Sequence, residues 1–372
     1  MTYSGVKVEI EVEKIPNNLE NEHWPLLIAG PCSAESEEQL VDTAKKLSAT
    51  KRISIFRAGI WKPRTRPNAF EGIGVKGLPW LQQVKKETGL RIATEVANAE
   101  HVELALKYGV DMLWIGARTS ANPFSVQEIA DSLKGTDVAV LIKNPVNPDT
   151  ELWIGALERI SKAGIKKLGA IHRGFSSHEK SVFRNAPMWN IPIELKAACP
   201  NLPIICDPSH ICGNTELIPF ISQKALDMDL NGLMIEVHNN PSCALSDAKQ
   251  QLVPEKYGEL IYNLLLRTSA PMSGDGQSEL MKLRENIDML DDEIIQKLSL
   301  RMEVSHKIGK YKQDHNITIL QMNRWNDIVS QRINMAKAMG LNGDFIRKYL
   351  DLIHQESINI QTAIMNTNQK PQ

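Results

Sequence analysis

The sequence predicts an α/β protein: a (β/α)8 barrel followed by a small all-α unit of three helices. Three observations carry this. Eight β-rich runs alternate with helical patterns between residues 26 and 268, polar residues gather where those runs end, and the Gly-, Ser- and Pro-rich stretch TSAPMSGDGQ then precedes segments with helical apolar spacing.

The β-like runs are LLIAG from Leu26, ISIFRA from Ile53, RIATE from Arg91, DMLWIG from Asp111, VAVLIK from Val138, LGAIHR from Leu168, PIICDP from Pro203 and GLMIEVH from Gly232. Between them lie segments such as SEEQLVDTAKKLSAT and AEHVELALKYG, whose apolar residues recur at helical spacing and which end near Gly or a turn. Eight consecutive βα units predict a closed barrel. The competing open sheet lacks its sign, a glycine-rich dinucleotide fingerprint in the first turn. The expected domains are residues 1–268 for the barrel, 269–277 for the linker and 278–372 for the helical unit.

Composition narrows the classes. With 372 residues, 42% hydrophobic and 23% charged, the chain has the make-up of a soluble protein with a sizeable core. Acidic and basic residues balance at a net charge of −1, and neither side of residue 271 is basic (30 Lys and Arg against 31 Asp and Glu before it, 13 against 13 after). A nucleic-acid-binding body is therefore not expected. No apolar run reaches membrane-helix length, and MTYSGVKVEIEVEKIP lacks a signal-peptide layout, so a cytoplasmic protein is expected. Cys32, Cys199, Cys206, Cys212 and Cys243 are odd in number and show no CxxC spacing, which argues against a disulfide framework.

Barrel chemistry sits where strands end and loops to the next helix begin. Cys32, His210, Glu236 and Asp247 all fall there, and one thiolate, one imidazole and two carboxylates suit one divalent ion of the Mn, Fe, Co or Zn class better than Mg or Ca. Arg57, Lys62, Arg118, Lys143 and Arg173 fall on the same rim, with Glu95 and His172 among them. Five cations beside a metal are costly unless an anionic substrate compensates, and phosphate and carboxylate groups fit that role.

The motifs GPCSAES, FRAGIWKPRT, ATE, GART, KNP, IHRGF, CDPSH, IEVH and LSDAKQ, spread over the whole barrel, resemble the short form of 3-deoxy-D-arabino-heptulosonate 7-phosphate (DAHP) synthase. The related octulosonate synthase carries an Ala-Asn-Arg-type stretch where this chain has Lys62-Pro63-Arg64-Thr65. The resemblance implies that Cys32, His210, Glu236 and Asp247 hold the metal. Arg57, Lys62, Gly116, Ala117, Arg118, Lys143 and Arg173 would bind phosphoenolpyruvate, and Lys62, Pro63, Arg64 and Thr65 erythrose 4-phosphate. Lys62, with a pKa lowered by its fellow cations, would protonate the developing alkoxide, while Glu95 and His172 manage water. Arg66 departs from the family's usual Ser.

Beyond the linker, Leu280, Leu283, Ile287, Leu290, Ile294 and Leu298 recur at three- and four-residue spacing, predicting one helix over residues 278–313. At 1.5 Å per residue it would span roughly 50 Å, too long for so small a unit to bury alone. With shorter helices at 322–339 and 343–365 it forms a three-helix unit expected to cover its apolar stripes as a homodimer. Arg301 and Lys312 share a face and so do Ser357 and Gln361, whereas Arg284 is turned about 100° from Arg301.

With LRENID, IGKYK, NRW and ESINIQ around them, these residues resemble the all-helical chorismate mutase, whose intertwined dimer borrows one Arg across subunits. The resemblance implies that Arg284, Arg301, Lys312 and Gln361 bind the carboxylates and ether oxygen of chorismate, with Gln321, Arg324 and Ser357 assisting and with Lys312 and Gln361 acting in catalysis. Gln321 stands where the family has Asp, and Trp325 where it often has Glu. The expected protein is bifunctional, in the shikimate pathway to aromatic amino acids, with feedback by prephenate or chorismate. The alternative is a synthase whose degenerate mutase unit serves only as a dimerising sensor.

Overall fold

The computed structural model describes residues 8–17, 25–62, 70–177, 181–267, 275–320 and 322–366. The chain divides into two compact units, Met1–Ser269 and Ala270–Gln372.

In the first unit, strands β1 (Leu26–Gly30), β2 (Ile55–Arg57), β3 (Arg91–Val96), β4 (Met112–Ile115), β5 (Ala139–Lys143), β6 (Leu168–His172), β7 (Ile204–Cys206) and β8 (Gly232–Glu236) form a closed barrel in sequence order. All neighbours are parallel, and β1 closes on β8 with Leu26 opposite Gly232 and Gly30 opposite Glu236. Helices α1 (Glu37–Ala49), α2 (Gly77–Thr88), α3 (Ala99–Lys107), α4 (Pro123–Leu133), α5 (Thr150–Lys162) and α6 (Asn190–Ala198) follow the first six strands. The short α7 (Pro208–Cys212) and α8 (Ile218–Asp227) follow β7, and α9 (Pro254–Asn263) ends the unit.

Period-2 alternation makes two cores. Leu26, Ile28, Ile55, Ala93, Met112, Trp114, Leu141, Ile171, Ile205 and Met234 point inward and fill the barrel. Their neighbours Leu27, Ala29, Phe56, Ile92, Leu113, Ile142 and Leu233 point outward and pack under the helices. Helix starts follow capping chemistry: Ser36, Asn98, Asn122 and Asp149 each accept a backbone N–H of the first turn. Asp207 does the same for α7, accepting from His210 N, so the cap sets where His210 stands.

In the second unit α10 (Asp275–Asp314) is a single long helix, with α11 (Met322–Ala338) and α12 (Gly343–Asn366) after it. It starts three residues before the expected position. Within one chain its apolar stripe is uncovered: Leu283, Ile287, Leu290 and Ile294 are all exposed. Among the described residues no helix is long and apolar enough to cross a membrane.

Ile15, from the segment before β1, is buried within the inner core. Replacing Ile15 with Ala should cost about 2–4 kcal/mol in denaturant unfolding; a loss under about 1 kcal/mol would mean that the segment does not plug the barrel.

Candidate active sites in the barrel and the helical unit

The barrel's strand ends bring three of the four expected metal-type side chains, Cys32, Glu236 and Asp247, into one cluster, with His210 beside Glu236 but outside it. Cys32 lies two residues beyond β1, Glu236 ends β8, and Asp247 sits on the following loop with left-handed backbone (φ 48°). One ligand atom each of Cys32, Glu236 and Asp247 lies within 4.8 Å of the others. Cys32 Sγ is 3.2 Å from Asp247 Oδ2, and His210 Nε2 is 3.8 Å from Glu236 Oε1. His210 Nδ1 lies 2.8 Å from Asp207 Oδ2, the carboxylate–imidazole arrangement that orients a metal-binding His. The soft sulfur, imidazole nitrogen and two carboxylates fit a borderline divalent ion.

The electrostatics differ among these donors: the carboxylates are held ionised and the thiol protonated. Burial, with Glu236 next, pushes the Cys32 thiol up to about 12. Its proton would leave only for a strong cation, so ion binding would release a proton. Burial pushes the Glu236 and Asp207 carboxyls up, but His210 with Arg57 at the first and with Lys143 at the second outweigh it, and both are held below the ordinary range. Asp247 is likewise held well down, burial being outweighed by Arg184.

The expected cations surround this cluster. Arg57 is 1% exposed; its Nη2 donates to Glu236 Oε1 at 3.2 Å and its guanidinium lies 4.8 Å over the Trp114 ring. Its Nε and Nη1 are buried without a protein acceptor. Such donors are costly to leave unmet, and they call for an acceptor that the chain itself does not supply. Lys62 Nζ donates to Cys32 O at 2.8 Å, Lys143 Nζ to Asp207 Oδ2 at 2.8 Å, and Arg173 Nη1 to Asn185 Oδ1 at 2.8 Å. Arg118 is exposed in the turn after β4. Beside it, Glu95 Oε2 accepts from Trp114 Nε1 at 3.0 Å, and a Cβ on Gly116 would stand 2.2 Å from Glu95 Oε1, so the carboxylate and the Gly116 backbone are close neighbours. His172 is buried beside Phe175 and Trp189, with ring centroids at 5.7 and 5.2 Å.

Lys62 departs from expectation. Burial alone would push its ammonium down, but Cys32, Glu95 and Glu236 more than reverse this, and the net shift is upward. Cys32 and the nearby carboxylates outweigh burial and the Arg57 cation, which favours a fixed positive charge over a ready proton donor. Pro63, Arg64, Thr65 and Arg66 lie outside the described residues. Asp207, Trp114, Arg184, Asn185 and Gln250 all touch the site, yet no sequence reasoning singled them out. Only Asp207 carried a signal, as Asp-Pro at a helix start.

In the helical unit, Arg301 Nη1 donates to Ser357 Oγ at 2.6 Å, and Ser305 Oγ to the same hydroxyl at 3.2 Å. Lys312 Nζ bonds Ile319 O at 2.5 Å, and Gln361 is buried with its Oε1 unpaired. Arg301 and Ser357 thus meet between α10 and α12, Gln361 lies beside Gly309 of α10, and Lys312 reaches the turn that follows α10. Arg284 does not join them: seventeen residues along one helix place it roughly 25 Å from Arg301. Gln321 and the side chain of Arg324 lie outside the described residues. Trp325 stacks on His354, with ring centroids 3.8 Å apart.

Known proteins match both units. The family model described as DAHP synthetase I family matches residues 12–265, and the model described as chorismate mutase type II matches residues 283–362. A phospho-2-dehydro-3-deoxyheptonate aldolase from Thermotoga maritima is 34% identical over 238 residues, covering 64% of this chain and 68% of that protein. A 2-dehydro-3-deoxyphosphooctonate aldolase from Bordetella petrii is 28% identical over 253 residues, covering 61% of this chain and 84% of its own. The crystal structure of the Thermotoga maritima DAHP synthase superposes with a TM-score of 0.58 at 31% identity, over 66% of this chain and 70% of that one. The matched span takes in the whole barrel and every rim residue discussed above, and the chain belongs to the DAHP synthetase I family, with a chorismate mutase type II domain fused after its barrel.

Proposed function

We propose that the barrel condenses phosphoenolpyruvate with erythrose 4-phosphate and water to DAHP and phosphate, at a centre held by Cys32, His210, Glu236 and Asp247. The observation that carries this is Arg57, a fully buried guanidinium with one arm on Glu236 and two donors unmet, among cations that suit a phosphorylated acid. A divalent ion of the Mn, Fe, Co or Zn class, when bound, would supply a Lewis acid for the aldehyde oxygen.

The side chains supply the rest. Arg57, Lys62, Arg118, Lys143 and Arg173, with the Gly116-Ala117 backbone, hold the phosphate and carboxylate of phosphoenolpyruvate and stabilise charge as it moves. Lys62, Pro63, Arg64 and Thr65 receive erythrose 4-phosphate. C3 of phosphoenolpyruvate attacks the aldehyde carbon, and the new alkoxide takes a proton. Lys62, held cationic, stabilises that oxygen. Water adds at C2, with Glu95 and His172 handling its protons, and the phosphate ester breaks to release phosphate.

In the helical unit, Arg301, Lys312 and Gln361 hold chorismate in the reactive chair and stabilise charge as its ether bond breaks to give prephenate, with Ser357, Arg324 and Gln321 in support. The separation of Arg284 from Arg301, together with the uncovered stripe of α10, supports a homodimer in which Arg284 completes the partner's site. Prephenate or chorismate bound there would feed back on the barrel. The Trp325–His354 stack, where the mutase family often has Glu, supports a second reading in which this unit senses without catalysing.

Four measurements test these roles. Arg57→Lys should lower kcat/KM for phosphoenolpyruvate about 100-fold, since an ammonium cannot replace the fork; an unchanged value would remove Arg57 from the site. Wild-type protein should convert chorismate to prephenate and Gln361→Ala should lose about two orders of magnitude; no turnover by the wild type would favour the sensor. Saturating prephenate should slow the synthase, and removal of residues 272–372 should abolish that response; equal rates with and without prephenate would refute feedback. Finally, burial, with Arg173 next, lowers the His172 imidazole to about 3. The unfolded chain protonates first as pH falls below about 6.5, so stability is full above that and falls towards pH 3. Between pH 7 and 5 the loss from this group should be about 2 kcal/mol in denaturant unfolding. His172→Phe should show a correspondingly flatter profile, and identical slopes would contradict the burial argument.

A further inference from the structure

Between β6 and α6 the chain returns across the active-site rim. Phe175 and Ala186 exchange backbone hydrogen bonds at 2.8 Å, Asn185 N donates to Ile211 O at 3.1 Å, and Arg184 N donates to Cys212 O at 3.3 Å. This ties residues 184 and 185 to α7, the helix that carries His210, and residue 186 to the segment just after β6. Gly213 makes room for Arg184, since a Cβ on this glycine would meet Arg184 Cβ at 2.5 Å, and the glycine's φ of 70° is one that side chains rarely adopt.

The side chains of this segment reach the ligands themselves. Arg184 Nη1 donates to Asp247 Oδ1 at 2.8 Å and to Gln250 Oε1 at 2.7 Å, while Gln250 Nε2 donates to Glu236 Oε2 at 2.6 Å. One oxygen of each ligand carboxylate is thereby taken. The others remain turned inward: Asp247 Oδ2 faces Cys32 Sγ, and Glu236 Oε1 faces His210 and Arg57. Asn185 works on the third ligand and on the anion site together. Its Nδ2 donates to His210 O at 2.6 Å, and its Oδ1 accepts from Arg173 Nη1 at 2.8 Å.

We propose that Arg184 and Asn185 are positioning residues, a brace that turns Asp247, Glu236 and His210 towards one point and joins that point to Arg173. The proposal rests on the reading of Cys32, His210, Glu236 and Asp247 as a metal centre. Neither residue touches a reacting atom; each acts through the side chains it holds. Partners of this kind typically change metal affinity 10- to 100-fold, and Arg184, half-exposed, contributes little packing.

The test uses the full-length protein stripped of metal, with Mn²⁺ affinity measured by chelator competition and phosphoenolpyruvate affinity by calorimetry. Arg184→Met should weaken Mn²⁺ binding about 10- to 100-fold with the metal-free melting temperature unchanged, and Arg184→Lys should recover most of it. Asn185→Ala should weaken both Mn²⁺ and phosphoenolpyruvate. Gln250→Leu cuts the same chain of bonds from the other end and should reproduce the Mn²⁺ defect if Arg184→Met folds poorly. Cys32→Ala is the control: if it binds Mn²⁺ as tightly as the wild type, the metal centre itself is wrong. If Cys32→Ala loses binding while Arg184→Met, Gln250→Leu and Asn185→Ala stay within twofold of the wild type, the centre stands and the brace is overturned.

Discussion

The closing pair of the barrel, β1 against β8, is the constraint on which the rest depends. Its register sets Gly30 opposite Glu236, and that alone brings Cys32, two residues later, beside the end of β8 from more than two hundred residues away. A one-residue slip would exchange the inward and outward faces of the strand, so the inner and outer cores enforce the same register that assembles the site. Stability and chemistry share one geometric cause.

Charge follows from that convergence. Arg57, Lys62, Lys143 and Arg173 are brought towards Asp207, Glu236 and Asp247, and burial makes each pairing matter. Arg57 and Lys143 are nearly inaccessible, and each donates to a buried carboxylate, Glu236 and Asp207 respectively. Cys32, Glu95 and Glu236 raise Lys62, which a list of neighbouring cations would have lowered. The helical unit differs: Ser357 anchors Arg301 within one chain, while the apolar stripe of α10 stands exposed.

Much of this was legible from residue order. Eight short β-rich runs could be read, all of them strands, because a parallel strand buried on both faces leaves a continuous apolar signature. The rim residues could be placed because strand ends are where barrel side chains meet. Arg184, Asn185 and Gln250 could not: they lie on loops or a single short turn of helix without periodicity, and their importance comes from contacts across 12 to 66 residues of chain. The start of α10 was missed for a similar reason, since Asp275, Gly276 and Gln277 carry no apolar residue to mark a helix face.

The most direct measurement is phosphate release from phosphoenolpyruvate by metal-stripped full-length protein, with divalent ion and erythrose 4-phosphate added back separately and together. Metal-dependent condensation at the β1–β8 seam predicts release only when both are present, with one DAHP formed per phosphate, and none in Cys32→Ala under the same conditions. Equal release from the stripped wild type with erythrose 4-phosphate alone, or full activity in Cys32→Ala, would contradict it.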